Sequence, residues 1–157
     1  MSGILVMIAL LTVEPFKADS VFVDLSNQTV FCLRQDSIVW SARVSTGREG
    51  RETTRGRFEV VNKRRKTIST VFGSTLEWWV GFEIQERGLG FHVVTKEDHE
   101  ELLGIKASFG CVRLSREDAP IFYNLVEIGT IIKVVNRIPP AYRPVRVDCS
   151  VCFHGIY

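Results

Sequence analysis

The chain has 157 residues, 45% of them hydrophobic and 24% charged, with a formal net charge of +2. This is the profile of one globular domain, and it excludes a disordered tail, a coiled coil and a collagen-like fibre. So small a charge lacks the basic footprint of a nucleic-acid binder, and a domain this long buries about 70% of its unfolded surface, so the four cysteines are not needed as staples.

In chain order, Met1 to Ser20 comes first, with an apolar run from Ile4 to Val13 broken only by Thr12. The run is too short to span a bilayer, and its length suits a secretory signal with Ala18 and Ser20 ahead of a cleavage point. Against export, no Lys or Arg precedes Lys17, and a buried first strand of the fold is the other reading. Val21–Leu25, Thr29–Leu33 and Ser37–Val44 alternate Val, Phe, Ile and Trp with polar turns and predict a β-meander. Further strands are expected over Arg57–Asn62, Leu76–Ile84, Phe91–Val94 and Thr130–Val135. Thr95 with Asp98, and Ser115 with Asp118, have capping-box spacing and predict two short helices. The first should stop at Gly104, and the second should bury Ala119, Phe122 and Val126 despite Pro120. Three prolines (Pro139, Pro140, Pro144) then open a C-terminal tail over residues 137–157, containing Cys149 and Cys152.

The stretch richest in chemistry is Ser108-Phe109-Gly110-Cys111-Val112-Arg113, with His92 upstream at the end of a predicted strand. A lone cysteine is ordinarily a small buried hydrophobe. Here an imidazole, an arginine and a helix start can converge on Cys111, and each favours a thiolate. Gly110 lets the backbone turn tightly, so that main-chain amides can face an oxyanion.

These residues resemble the signature of the L,D-transpeptidase catalytic domain (the YkuD family): a histidine, a gap of about fifteen residues, then Ser-x-Gly-Cys-hydrophobic-Arg. The likeness extends to Val23–Val30, Ser45-Thr46-Gly47, Thr53–Phe58 and the segment from Asp118 to Thr130, and so covers about 21–136. It implies a mostly β sandwich with two short helices, acting outside the cytoplasm, in the periplasm or cell wall, on peptidoglycan stem peptides. It implies Cys111 as nucleophile and His92 as general base. Amides near Phe109, Gly110 and Cys111 would form the oxyanion hole, and Ser108 and Arg113 would shape the pocket. Arg113 suits a substrate carboxylate or a structural salt bridge. The acceptor would be an amine of a second stem or of a wall-linked protein. Water as acceptor would make the protein an L,D-carboxypeptidase or amidase, and a catalytically inactive wall-binding domain is a third reading. No cofactor, metal or nucleic acid is implied, and membrane contact only through an uncleaved N-terminal segment.

Three positions depart from the family pattern: Thr54, Phe109 and Val93. A β-branched Val93 beside the histidine is expected to narrow the substrate cleft. Alternation sends Trp78 and Trp79 to opposite faces, one to the core and Trp79 to the cleft. Residues 48–66 carry eight cations against three carboxylates, read as a solvated loop and hairpin face or as a contact for an anionic polymer. Cys32 reads as strand core, His99 as helix surface, and Cys149 with Cys152 as a local disulfide or, with more ligands, a redox or metal site.

Overall fold

The computed structural model describes residues 16–83, 88–95 and 97–142. Most of the predicted export segment, the side chain of His99, and Cys149, Cys152 and His154 lie outside them.

Among the described residues, nine strands form two sheets. The first contains β1 (Ser20–Asp24), β2 (Thr29–Arg34), β3 (Ser37–Arg43), β4 (Gly56–Glu59) and β9 (Ile131–Val135), in the order β3-β2-β1-β9-β4. The second is β5 (Asn62–Ile68), β6 (Thr75–Glu83), β7 (Leu89–Val93) and β8 (Val112–Leu114), in that order. Two pairs run parallel, β1 with β9 and β7 with β8. The inward side chains of both sheets make one core, Val21, Val23, Val30 and Cys32 from the first meeting Val80, Phe91, Val112 and Leu114 from the second. The helix α1 (Asp118–Leu125) adds Ala119 and Phe122, and the Phe122 ring lies 4.4 Å from that of Phe91.

Local chemistry accounts for most boundaries. Ser115 Oγ accepts the Asp118 N–H at 2.9 Å and donates to Asp118 Oδ2 at 2.7 Å, which starts α1 where the capping spacing predicts it. Pro120 falls in the first turn, where a missing N–H breaks no helical bond. The other expected helix is a 3-10 segment, Glu97–Leu102. The strand predicted over Arg57–Asn62 is instead two. Val60 donates its N–H to Thr130 in the first sheet and Val61 donates to Gly81 in the second. The chain therefore crosses between sheets at residues 60–61, and four of the eight cations of the basic stretch expected in a loop or hairpin face, Lys63 to Lys66, lie on edge strand β5.

The first sheet is covered on its outer side as well. Phe22, Phe31 and Leu33 pack beneath Ile138, with Tyr142 against them. Asp24 closes this corner, accepting N–H bonds from Ser26, Asn27 and Ile138, each at 3.0 Å. Among the described residues no helix is long and apolar enough to cross a membrane.

Candidate active site

Pairing register places the candidate residues. Arg64 pairs with Trp79, and His92 pairs with Arg113. Val80 pairs with Phe91, so Trp79 and His92 lie side by side as well. One row across the second sheet therefore reads Arg64, Trp79, His92, Arg113. The alternating partners Val80, Phe91, Val112 and Leu114 go to the core. Cys111 stands one residue before β8 and two before Arg113, next to the strand that carries His92, and it packs against the core.

His92 is 4% exposed. Its Nδ1 lies 2.6 Å from the Val93 carbonyl oxygen. A carbonyl only accepts, so Nδ1 carries the proton and Nε2 keeps its lone pair. Burial, chiefly, pushes the imidazole pKa down to about 4, with the nearby Arg113 charge acting the same way and the Val93 bond opposing. The ring is therefore neutral and able to accept a proton at neutral pH. Trp79 stacks beside it, ring centroids 6.4 Å apart and planes inclined by 21°. The indole lies over Gly81 and Gly90, where an added Cβ would come within 3.0 Å of Nε1 and 2.6 Å of Cη2 respectively. Trp79 Nε1–H donates to Asn62 Oδ1 at 2.7 Å. Trp78 faces the other way, its ring 5.4 Å from Tyr123.

The nucleophile loop is held by a hydrogen-bond chain. Ser108 Oγ donates to the Cys111 carbonyl at 2.5 Å and accepts the Gly110 N–H at 3.0 Å. Thr53 Oγ1 donates to the Gly110 carbonyl at 2.7 Å and accepts the Gly47 N–H at 2.9 Å. The Ser108 N–H reaches the Thr46 carbonyl at 2.9 Å. Gly110 has φ +125°, a conformation that favours glycine. Its N–H is bonded to Ser108 Oγ within the loop, and Gly110 shapes the turn. Ser108 likewise shapes the loop.

Burial lowers the pKa of Arg113, and the charge of Cys111 pulls the other way. Arg113 Nε is buried with no hydrogen-bond partner among the described residues. Phe109 is 39% exposed, with the Arg48 guanidinium 4.2 Å above its ring and Phe72 at 4.9 Å. Val93, expected to narrow the cleft, is 5% exposed and part of the core. Strand alternation turns it away from the face of His92, and its contribution to the site is its carbonyl. The sequence reading missed the supporting roles of Thr53, Gly81 and Gly90. Thr53 and Gly90 had a legible signal, lying within or beside quoted motifs, but their partners are distant in sequence. Among the described residues no group of three or more His, Cys, Asp or Glu is placed to hold a metal.

His92 lies on a strand of a two-sheet β fold, and Cys111 immediately precedes the parallel strand beside it, two residues before the Arg113 that pairs with the histidine. The L,D-transpeptidase catalytic domain (YkuD) matches residues 18–136, and the chain belongs to that family. None of the curated proteins matches the chain. Among solved structures, it resembles an L,D-transpeptidase from Stackebrandtia nassauensis at 27% identity and TM-score 0.67, covering 78% of this chain and 58% of that one. An L,D-transpeptidase from Mycobacterium tuberculosis H37Rv shares 28% identity at TM-score 0.60, covering 75% and 57%. L,D-transpeptidase 3 from M. tuberculosis, solved with a faropenem-derived adduct, shares 25% at TM-score 0.57, covering 74% and 60%. The chain thus spans less than two thirds of the length of these neighbours.

Proposed function

We propose that the protein is a peptidoglycan L,D-transpeptidase that works through a thioester on Cys111. The observation that carries this reading is the 2.6 Å contact of His92 Nδ1 with the Val93 carbonyl, which assigns the proton of a neutral ring to Nδ1 and leaves Nε2 as the base on the strand paired with the one Cys111 precedes. His92 Nε2 takes the thiol proton as Sγ attacks the carbonyl of the diamino acid at the third position of a tetrapeptide stem. The tetrahedral intermediate collapses, the peptide C–N bond breaks, and D-alanine leaves with the proton from His92. An amine from a second stem or a wall-linked protein then attacks the thioester, closes the new amide and returns the thiol. Arg113, coupled in charge to Cys111, offsets the developing negative charge and is placed to take a substrate carboxylate. Its partnerless Nε supports that second role. Trp79 walls the cleft. The site belongs outside the cytoplasm, where the substrate is.

Val93 gives no support to an inactive wall-binding domain, because it does not intrude on the cleft. The test is acylation by a carbapenem, read by intact-mass spectrometry. One adduct is expected on the wild type and none on Cys111→Ser; an unmodified wild type overturns the reading. Tetrapeptide muropeptides then separate the acceptors, with cross-linked dimers expected and tripeptide release alone assigning water.

A further inference from the structure

Four consecutive cations, Lys63 to Lys66, lie on edge strand β5, and three of them have partners. Lys63 Nζ donates to the Val126 carbonyl at 2.6 Å and sits over the Tyr123 ring. The Arg65 guanidinium lies 5.0 Å from the centroid of Trp78. Lys66 pairs with Glu77 at 3.7 Å. Arg64 alone of the four makes no hydrogen bond, ion pair or ring contact among the described residues. It is exposed, and it heads the row that continues through Trp79 and His92 to Arg113.

That placement gives the cleft a cation at each end. Arg113 follows Cys111 by two residues, and Arg64 occupies the strand position paired with Trp79. Three strand spacings separate β5 from β8, about 14 Å between backbones, and the long arginine stem closes much of that gap. A group held by Arg64 therefore sits several atoms from the acyl carbon on Cys111, resting on the indole that Gly81 and Gly90 hold flat. An exposed guanidinium fork on the strand position next to an aromatic side chain suits a planar anion. On an acyl donor attached through a diamino acid, the group at that remove is the carboxylate at the far end of the diamino acid side chain.

We propose that Arg64 is a specificity-determining residue that selects acyl donors whose diamino acid carries a free distal carboxylate over donors in which it is amidated. The inference rests on the transpeptidase reading above and adds the class of stem that the site prefers.

The test compares kcat/KM for two tetrapeptide donors that differ only in carboxylate against carboxamide at that position. The wild type is expected to favour the carboxylate donor by about tenfold or more, the usual worth of a charge-assisted bond. Arg64→Gln should remove that preference through KM on the carboxylate donor, leaving the amidated donor within about twofold. Arg64→Lys should recover part of it, since charge is restored without the fork. Arg116→Gln, an exposed arginine outside the row, should change neither. Equal turnover of both donors by the wild type, or equal losses on both in Arg64→Gln, overturns the inference and leaves the transpeptidase reading standing. If the wild type turns over neither donor and Cys111 takes no carbapenem, that reading fails and this inference falls with it.

Discussion

The indole of Trp79 occupies the space that a side chain on Gly90 would need, since a Cβ built there would lie 2.6 Å from indole Cη2 and 2.7 Å from the Val80 carbonyl oxygen. The cleft wall beside His92 therefore depends on two glycines that carry no chemistry. Gly90→Ala should cost about 1–3 kcal/mol in urea unfolding, as overpacked sites do. It should also slow Cys111 acylation at least about tenfold by lifting the ring from His92. Acylation unchanged in a folded Gly90→Ala protein would show that the shelf is not part of the site.

His92 and Arg113 couple the site to pH. The imidazole must be neutral to accept the thiol proton, and its pKa is depressed to about 4. The acid limb of the acylation rate should therefore fall near pH 4, well below that of an unperturbed histidine. Arg113→Met removes a positive neighbour, eases protonation and should move the limb upward. Stability should shift in the same sense. A group with a native pKa of about 4 against an ordinary value of 6.5 stabilises fully above 6.5, and that contribution is lost as pH falls from 6.5 through 4. Acylation followed from pH 3 to 8 for both proteins decides the matter.

Thr53 links the Gly47 N–H to the Gly110 carbonyl through one hydroxyl. Thr53→Val keeps the shape and leaves a buried donor and a buried acceptor without that partner, at a cost of about 1–3 kcal/mol each. Because Gly110 immediately precedes Cys111, acylation should slow by more than the loss of folded protein explains. Thermal unfolding and the single-turnover acylation rate, measured together, separate the two effects.

Asp24 holds the outer corner of the first sheet. Burial pushes its carboxyl pKa up, but the donors from Ile138, Asn27 and Ser26 outweigh this and hold it below the ordinary value of 3.8. Its contribution is present above pH 3.8 and is lost as pH falls through the lowered native value. Asp24→Asn keeps the size and removes the charge, and should destabilise by about 1–3 kcal/mol at pH 7. The loss should shrink as pH falls below 3.8, where the wild-type contribution is lost as well. A difference that does not vary with pH would locate the effect elsewhere.

The strands around Val21, Thr29 and Ile132 were legible because alternation and turn residues report on one sheet face at a time. The start of α1 was legible for a similar reason, its cap being written within four residues. The crossing at Val60 and Val61 was not, because both residues read as strand and only their distant partners, Thr130 and Gly81, show that they serve different sheets. Three-residue β8 is too short for a pattern to be seen. In the site, Cys111 and His92 stood out through their motif. The misreading of Val93 came from treating a position beside the histidine as cleft, when alternation buries it. Arg64 was hidden within a charge run, and only the pairing of β5 with β6 sets it apart from Lys63, Arg65 and Lys66.

The parallel pairing of β1 with β9 has a consequence for how the chain becomes a domain. β1 is flanked by β2, close in sequence, and by β9, more than a hundred residues later. During synthesis the first meander is therefore an open sheet with β1 as an unsatisfied edge until residues 131–135 emerge. Closure is a long-range event, of the kind that makes folding slow. A product truncated before Ile131 would carry the complete Cys111 and His92 motif and still present bare strand edges on both β1 and β4, so it should aggregate before it could work.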